Sequence, residues 1–164
     1  MSARTVIDGL EFSQAEDELQ GHLPLAGFGR LQDCLFDADG GIDFLLKGGR
    51  DRQRRPVLHL EVNGLLNLQC QRCLGALAYP LRIMNTLLLV SANETLPAEA
   101  DEPDAPDCIV TSVDMDVAAL IEDEILLSLP LSSRHPDGAC AARAGVPRIG
   151  NAASPFEGLA ALRK

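Results

Sequence analysis

The feature that most constrains how this chain folds is the stretch LHLEVNGLLNLQC, from Leu58 to Cys70. Apolar residues occupy every second position there, interrupted at Gly64, and mostly polar residues lie between them. Because neighbouring side chains of a β-strand point to opposite faces, this period of two predicts one long strand with a single buried face. His59 falls on the polar face and is therefore predicted to be a surface residue and not a ligand. Gly64 is predicted to mark a bulge or a sharp bend.

Further strands are predicted on both sides of this one. The apolar stretch YPLRIMNTLLLVS, from Tyr79 to Ser91, is predicted to be its antiparallel neighbour, with a turn between them at residues 73–76. Earlier in the chain, GRLQDCLF and GIDFLLKGG are short strand candidates separated by the turn-like DADGG. Together these strands predict an antiparallel, barrel-like sheet.

Three segments carry the signals of helices. The segment FSQAEDELQG is predicted to be a short helix capped by Ser13. The segment DMDVAALIEDEILLSLPL is predicted to be the main helix, capped by Asp114 or Asp116 and stopped by Pro130. The closing SPFEGLAALRK has Ser154 as its cap. The predicted fold class is therefore α+β, with an antiparallel, barrel-like β-sheet, one main packed helix and short terminal helices.

The length of 164 residues fits one domain with tails. We expect residues 1–133 to form a single α+β domain with an acidic loop near residues 92–107, and residues 134–164 to form a mobile tail that ends in the short helix. No apolar run reaches the roughly 20 residues that cross a bilayer, and the first residues lack the apolar core of a secretory signal. The sequence therefore predicts a cytoplasmic protein with no membrane contact. Five cysteines, an odd number, argue against a disulfide framework.

The net charge of −10 is unevenly distributed along the chain. Between Ile83 and Ser133 there are 11 acidic residues and no lysine or arginine. Basic residues cluster in RDRQRR, which either forms a solvated loop between two strands or contacts phosphates. The acidic run from Glu122 to Glu124 is either a solvated helix face or a contact for basic groups on a partner. The basic residues of the cluster are Arg50, Arg52, Arg54 and Arg55.

Cys70 and Cys73 have the C-x-x-C spacing of half a zinc site, and tetrahedral zinc needs four ligands. His135 and Cys140 would complete a set of three thiolates and one imidazole, with Cys108 as a substitute ligand. A redox pair is a second interpretation, which a preceding strand and the lack of a thioredoxin-like βαβ pattern disfavour. A reduced pair of thiols without metal is a third. The spacing of the residues leaves all three open.

Four motifs that occur in this order resemble one known family. They are LQCQRCL, DVAALIEDEILLSLPL, an Arg-His pair ahead of a cysteine, and the closing PFEGLAALRK. From about Val57 to the C-terminus, the chain resembles the YceD family of large ribosomal RNA subunit accumulation proteins. Ser154 stands where that family usually has asparagine, and serine caps a helix as well as asparagine does. The resemblance implies a role in the accumulation of 23S ribosomal RNA and a metal site at Cys70, Cys73, His135 and Cys140.

The sequence is therefore interpreted as that of a non-catalytic factor in ribosome biogenesis, which supports the synthesis, processing or stability of 23S ribosomal RNA. It lacks a glycine-rich phosphate loop, a nucleophile elbow and an HExxH motif. The expected partners are precursor ribosomal RNA, a ribosomal protein or another assembly factor, and the expected cofactor is zinc. Two alternatives stay open: a CxxC thiol oxidoreductase, and a zinc-clipped interaction module without a ribosomal role. The residues predicted to contact RNA or a partner are Arg50, Arg52, Arg54, Arg55 and Arg72.

Overall fold

A computed structural model describes residues 5–91 and 107–140. Two single-turn 3-10 helices, Leu25–Gly27 and Leu31–Cys34, lie between the second and third strands. In this part of the chain, no helix is long and apolar enough to cross a membrane. The helices and strands, in chain order, are β1 (Val6–Ile7), α1 (Gly9–Ala15), β2 (Glu18–Pro24), β3 (Gly41–Arg50), β4 (Pro56–Gln69), β5 (Ala76–Val90), β6 (Asp107–Val110), β7 (Met115–Asp116) and α2 (Val117–Ser128).

The main sheet has five strands in the order β2-β3-β4-β5-β6, and β1 and β7 form a separate two-stranded ribbon. Neighbours in the main sheet are antiparallel except β5 and β6, which are parallel. The α+β class is confirmed. The barrel-like shape is not confirmed, because β2 and β6 are the two edges of an open sheet and do not pair with each other.

The long strand predicted from the period of two is confirmed as β4. Its alternating apolar side chains, from Leu58 to Leu68, are buried in the core, and His59 is exposed on the other face. The bulge predicted at Gly64 is wrong, because the pairing with β5 continues through this residue without a break, and Gly64 is the last residue that pairs with β3. A Cβ atom at Gly64 would lie 2.7 Å from the Cγ2 atom of Ile42, so close packing against β3 accounts for the glycine.

The predicted helix at residues 12–21 is misplaced. The helix α1 begins after Asp8, whose carboxylate accepts a hydrogen bond from the Glu11 amide at 3.0 Å. Ser13 lies inside the helix, where it is buried and its hydroxyl donates to the Gly49 carbonyl at 2.7 Å. Glu16, in the left-handed conformation, ends the helix. The residues from Glu18 onward form β2, because they pair with β3.

The strand predicted at residues 29–36 is also wrong, because Leu31–Cys34 is a 3-10 helix. A carboxylate from a distant part of the chain holds this turn: Glu122 of α2 accepts hydrogen bonds from the amides of Arg30 at 2.7 Å and Leu31 at 3.0 Å. The predicted main helix is confirmed as α2, with Asp116 as its cap. The solvated-face interpretation fails for Glu122 and Glu124, which are both buried. Glu122 also accepts from the Arg30 guanidinium at 3.0 Å, so its basic partner lies within the same chain.

Glu122→Gln is expected to lower the free energy of unfolding by roughly 1–3 kcal/mol at neutral pH, because it removes a buried, hydrogen-bonded charge. Burial raises the pKa of the Glu122 carboxyl, but the hydrogen bonds from Leu31 and Arg30 outweigh burial and hold the pKa below its ordinary value of 4.5. Since the folded-state pKa is the lower one, this stabilisation is present above the unfolded-state value and is lost as the pH falls through the folded-state value.

Urea denaturation of the wild type and of Glu122→Gln, at neutral pH and again in acid, measures this effect, and the difference between them should shrink in acid. Asp123→Asn is the matched control, because Asp123 contacts the same arginine but its side chain is 53% exposed. The control is expected to change the free energy of unfolding by less than about 0.5 kcal/mol. An equal decrease in the free energy of unfolding in the two variants would contradict this account. A decrease in Glu122→Gln that does not depend on pH would contradict it as well.

The predicted division into a domain and a tail is only partly covered by the described residues. The acidic loop predicted near residues 92–107 lies outside them apart from Asp107, which starts β6. The C-terminal helix predicted from Ser154 lies outside them as well. The start of the predicted tail, residues 134–140, contacts the loop between β4 and β5 and the first residue of β5. The mobility of the tail stays a prediction.

Candidate metal centre

The tight loop between β4 and β5 places Cys70 and Cys73. Cys70 continues the buried alternating row of β4, and its side chain is fully buried, whereas Cys73 is half-buried. The Cys70 amide donates to the Gly75 carbonyl at 2.9 Å, and the Leu74 amide donates to the Cys70 carbonyl at 2.8 Å. Leu74 adopts a left-handed conformation, with φ of 58°, which reverses the chain toward β5. The loop therefore holds both sulfur atoms on one side.

The segment that follows α2 brings His135 and Cys140 to this loop. The Gln71 amide donates to the Ser133 carbonyl at 2.8 Å, which fixes the start of the segment against the loop. A turn follows, in which the Ala139 amide donates to the Pro136 carbonyl at 3.0 Å and Gly138 has a positive φ of 82°. This turn folds the chain back, so that Cys140 lies beside His135.

The four side chains converge at distances that suit a metal ion. The sulfur atoms of Cys70 and Cys140 are 3.8 Å apart, and the Nδ1 atom of His135 lies 3.5 Å from the Cys73 sulfur and 3.7 Å from the Cys140 sulfur. All four ligand atoms lie within 4.8 Å of one another. A tetrahedral zinc ion with thiolate and imidazole ligands needs edges of about 3.5–3.8 Å. The donor set and its spacing therefore fit a four-coordinate site of three thiolates and one imidazole.

The ring of His135 is oriented for coordination through Nδ1. Its Nε2 atom lies 2.9 Å from the Ala76 carbonyl oxygen, which can only accept a hydrogen bond. The Nε2 atom therefore carries a proton, and metal ligands of this kind commonly hold their second ring nitrogen in the same way. Hydrogen bonds to the sulfur atoms of Cys140 and Cys70 raise the pKa of His135, so a metal ion at this position would compete with a proton on Nδ1.

The surroundings shift the pKa values of the two thiols of the C-x-x-C motif in opposite directions. Burial disfavours ionisation of Cys70, but the amides of Cys73, His135 and Arg72 donate to its sulfur and lower its pKa to about 5. The Gly75 amide favours the thiolate of Cys73, but burial and the neighbouring sulfur atoms of Cys70 and Cys140 outweigh it and raise the pKa of Cys73. A divalent cation between the sulfur atoms would neutralise the repulsion that keeps Cys73 protonated.

The predicted substitute ligand is not part of this centre. Cys108 lies in β6 and pairs with Leu88, near the C-terminal end of β5, whereas the four converging residues lie at the N-terminal end of that strand. Among the described residues, the group of side chains able to hold a metal ion is Cys70, Cys73, His135 and Cys140. The structure thus brings together the four residues that were predicted as ligands, and among the described residues neither Cys108 nor Cys34 belongs to this group.

A family model described as "Large ribosomal RNA subunit accumulation protein YceD" matches residues 58–163, which is more than half of the chain. The chain belongs to the YceD family. The matched stretch of this YceD-family protein contains all four residues of the candidate metal centre, and it begins after the basic cluster at residues 50–55. No solved structure gives a significant match to the chain.

The arginines predicted to contact RNA or a partner do not form one surface in this YceD-family protein. The basic hairpin loop, defined as residues 50–55, consists of the last residue of β3 and the turn that leads to β4, whereas Arg72 lies in the loop between β4 and β5. β4 has 14 residues, so these two loops are separated by roughly 45 Å. The guanidinium of Arg72 bonds to residues of the metal centre and its surroundings. Its predicted contact with RNA stays a prediction.

The basic hairpin loop has a fixed shape and an exposed positive charge. The carboxylate of Asp51 accepts hydrogen bonds from the amides of Gln53 and Arg55, both at 2.8 Å, and from the Arg55 guanidinium at 2.7 Å. Arg55 therefore neutralises the one acidic residue of the loop. Within the described residues, no ion pair involves the other three arginines of the loop, which are all exposed: Arg50, Arg52 and Arg54.

The centre has two halves, the β4–β5 loop with Cys70 and Cys73 and the turn with His135 and Cys140. The sequence analysis missed the groups that hold these two halves together. The carbonyls of Ala76 and Ser133 are main-chain groups, which no motif predicts. The turn at Gly138 had a local signal, because Pro-Asp-Gly is a turn sequence and predicts a chain reversal between His135 and Cys140. The role of Arg72 beside Cys140 had no signal beyond its position between the two cysteines of the loop.

Proposed function

We propose that this protein is a non-catalytic cytoplasmic factor in ribosome biogenesis that supports the synthesis, processing or stability of 23S ribosomal RNA in the large subunit. The observation that carries the proposal is the family match over residues 58–163, whose description names accumulation of the large ribosomal RNA subunit. The candidate metal centre is consistent with a non-catalytic role, since four protein ligands leave no open coordination position for a substrate.

The centre is proposed to hold one zinc ion through Cys70, Cys73, His135 and Cys140. Zinc bound in this way supplies a cross-link between distant parts of the chain and no reaction. The cross-link would join the loop between β4 and β5 to the segment after α2, and thereby keep that segment beside the sheet. The fit of the distances and the orientation of the His135 ring support this proposal.

The basic hairpin loop is proposed to contact the phosphates of precursor ribosomal RNA. Three exposed arginines on a loop of fixed shape suit phosphate contacts, which depend on charge and not on base sequence. The solvent-facing side of the strands β2 to β5 carries no phenylalanine or tyrosine, since Phe44 and Tyr79 both lie on the core side. That face therefore lacks the aromatic platform on which proteins stack single-stranded bases.

Sedimentation of ribosomal particles tests the proposed function. In cells that lack the gene, free large subunits and whole ribosomes should decrease relative to small subunits, and the wild-type gene should restore them. A particle profile that the deletion leaves unchanged, under several growth conditions, would contradict the proposal. Bound zinc in the purified protein together with an unchanged profile would instead favour an interaction module without a ribosomal role.

A thiol oxidoreductase is the second candidate, and the low pKa of Cys70 favours it. Two observations oppose it: the Cys70 side chain is fully buried, and a third thiol and an imidazole surround the pair. Reduction of insulin disulfides with dithiothreitol as the reductant distinguishes the two candidates. We expect no rate above that of dithiothreitol alone, and a rate that disappears in Cys73→Ser would favour the oxidoreductase.

A further inference from the structure

Arg72 lies between the two cysteines of the β4–β5 loop, and its guanidinium reaches across to the turn at residues 135–140. The Nε atom donates to the Cys140 sulfur at 3.0 Å, and one terminal nitrogen donates to the Asp137 carboxylate at 3.1 Å. The other terminal nitrogen donates to the carbonyls of Pro136 at 3.2 Å and His135 at 3.4 Å. The Arg72 side chain, in the β4–β5 loop, is therefore hydrogen-bonded to four residues of the turn.

We propose that Arg72 is a positioning residue, which holds the turn at residues 135–140 against the β4–β5 loop so that His135 and Cys140 are in place before a metal ion binds. This inference rests on the proposed zinc site and adds the residue that positions two of its ligands. The contacts of Arg72 are independent of any ion, because they join protein groups to protein groups. The metal ion then binds to a site in which the β4–β5 loop and the turn at residues 135–140 are already in contact.

The chemistry of arginine suits this role better than that of lysine. A guanidinium presents five N–H donors in a planar fork, so that it can bond a sulfur, a carboxylate and two carbonyls spread over one turn. An ammonium group offers three donors at a single point and cannot cover the same span. The positive charge adds a second effect, since three thiolates, a neutral imidazole and a divalent ion carry a net charge of −1, which the guanidinium balances.

The test compares Arg72→Leu and Arg72→Lys with the wild type, and uses Arg134→Leu as the matched control. Arg134 is next to His135 in the chain, but its guanidinium donates to the Ser132 hydroxyl at 2.9 Å. The first readout is the dissociation constant for zinc, measured by competition with a chromophoric chelator. Changes around metal ligands commonly weaken metal binding by about 10- to 100-fold, which is the loss expected for Arg72→Leu. Arg72→Lys should recover part of the loss, and Arg134→Leu should bind zinc as the wild type does.

The second readout is hydrogen exchange of the backbone amides of His135 and Ala139, which bond to the Cys70 sulfur and the Pro136 carbonyl, in protein from which metal has been removed. Exchange in Arg72→Leu should be at least about tenfold faster than in the wild type, because the side-chain bonds that hold the turn are gone. Exchange in β4 and β5 should stay unchanged, which separates loss of the turn from loss of the fold.

The two readouts separate failure of this inference from failure of the zinc proposal. If the wild type binds no zinc, the zinc proposal fails, and the exchange measurement alone decides whether Arg72 holds the turn. If Arg72→Leu binds zinc as tightly as the wild type and its metal-free turn exchanges at the wild-type rate, the inference is overturned. An equal loss of zinc affinity in Arg134→Leu would also overturn it, because the effect would then come from charge alone.

Discussion

Protein purified without chelators is expected to contain one zinc ion per chain, and Cys73→Ser is expected to lose it. Structural zinc sites of this kind bind with an apparent free energy of about 10–16 kcal/mol, so removing one of four ligands should cost on the order of 3 kcal/mol, or roughly two orders of magnitude in affinity. Cys73 is the better position for the test, because Cys70 is also part of the buried core and its replacement would disturb the fold.

Elemental analysis of the purified proteins measures this effect, and Cys108→Ser is the matched control. Cys108 lies in β6, far from the four converging residues, so this variant removes one thiol and leaves the centre complete. The control should retain zinc at the wild-type level. Less than about 0.2 zinc per chain in the wild type, or an equal loss in both variants, would remove the support for a metal centre.

The triple replacement of Arg50, Arg52 and Arg54 by alanine is expected to weaken binding to ribosomal RNA by roughly a hundredfold at low salt. Each phosphate contact with single-stranded RNA contributes about 0.7 to the slope of log affinity against log salt concentration, so the slope should fall by about 2 units. Arg55 is left in place, because its bonds to Asp51 keep the loop in shape.

Binding to fragments of precursor 23S ribosomal RNA, titrated at several salt concentrations, measures both quantities. Arg82→Ala is the control, because Arg82 is an exposed arginine on β5, away from the basic hairpin loop. This variant should change the slope by less than about 0.7, which is the contribution of one phosphate contact. An unchanged slope in the triple variant would exclude the loop as the RNA contact and would favour a basic ribosomal protein as the partner.

The long strands were predictable because their signals are local. The alternation from Leu58 to Leu68 and the cap at Asp116 require no knowledge of the rest of the chain, and both are confirmed. The turn at Leu31–Cys34 was not predictable, because a carboxylate of α2 holds it. The open edges of the sheet depend on where β6 pairs, which the alternation within one strand does not indicate.

The candidate site shows the same division between local and distant signals. The spacing of Cys70 and Cys73 predicts half of a metal site, and His135 and Cys140 were predicted to complete it. The structure adds the contact itself, which joins Cys73 to His135 across 62 residues of the chain. The separation of the basic hairpin loop from Arg72 was in principle predictable, since consecutive loops of an antiparallel meander lie at opposite ends of its strands. The bonds from Arg72 to the turn depend on tertiary contacts alone.

The ratio of 23S to 16S ribosomal RNA in cells that lack the gene tests the central claim most directly. We predict a selective fall in 23S ribosomal RNA, which the wild-type gene and Cys108→Ser reverse and which Cys73→Ser does not. A ratio that stays unchanged without the gene, across several growth conditions, would contradict the account.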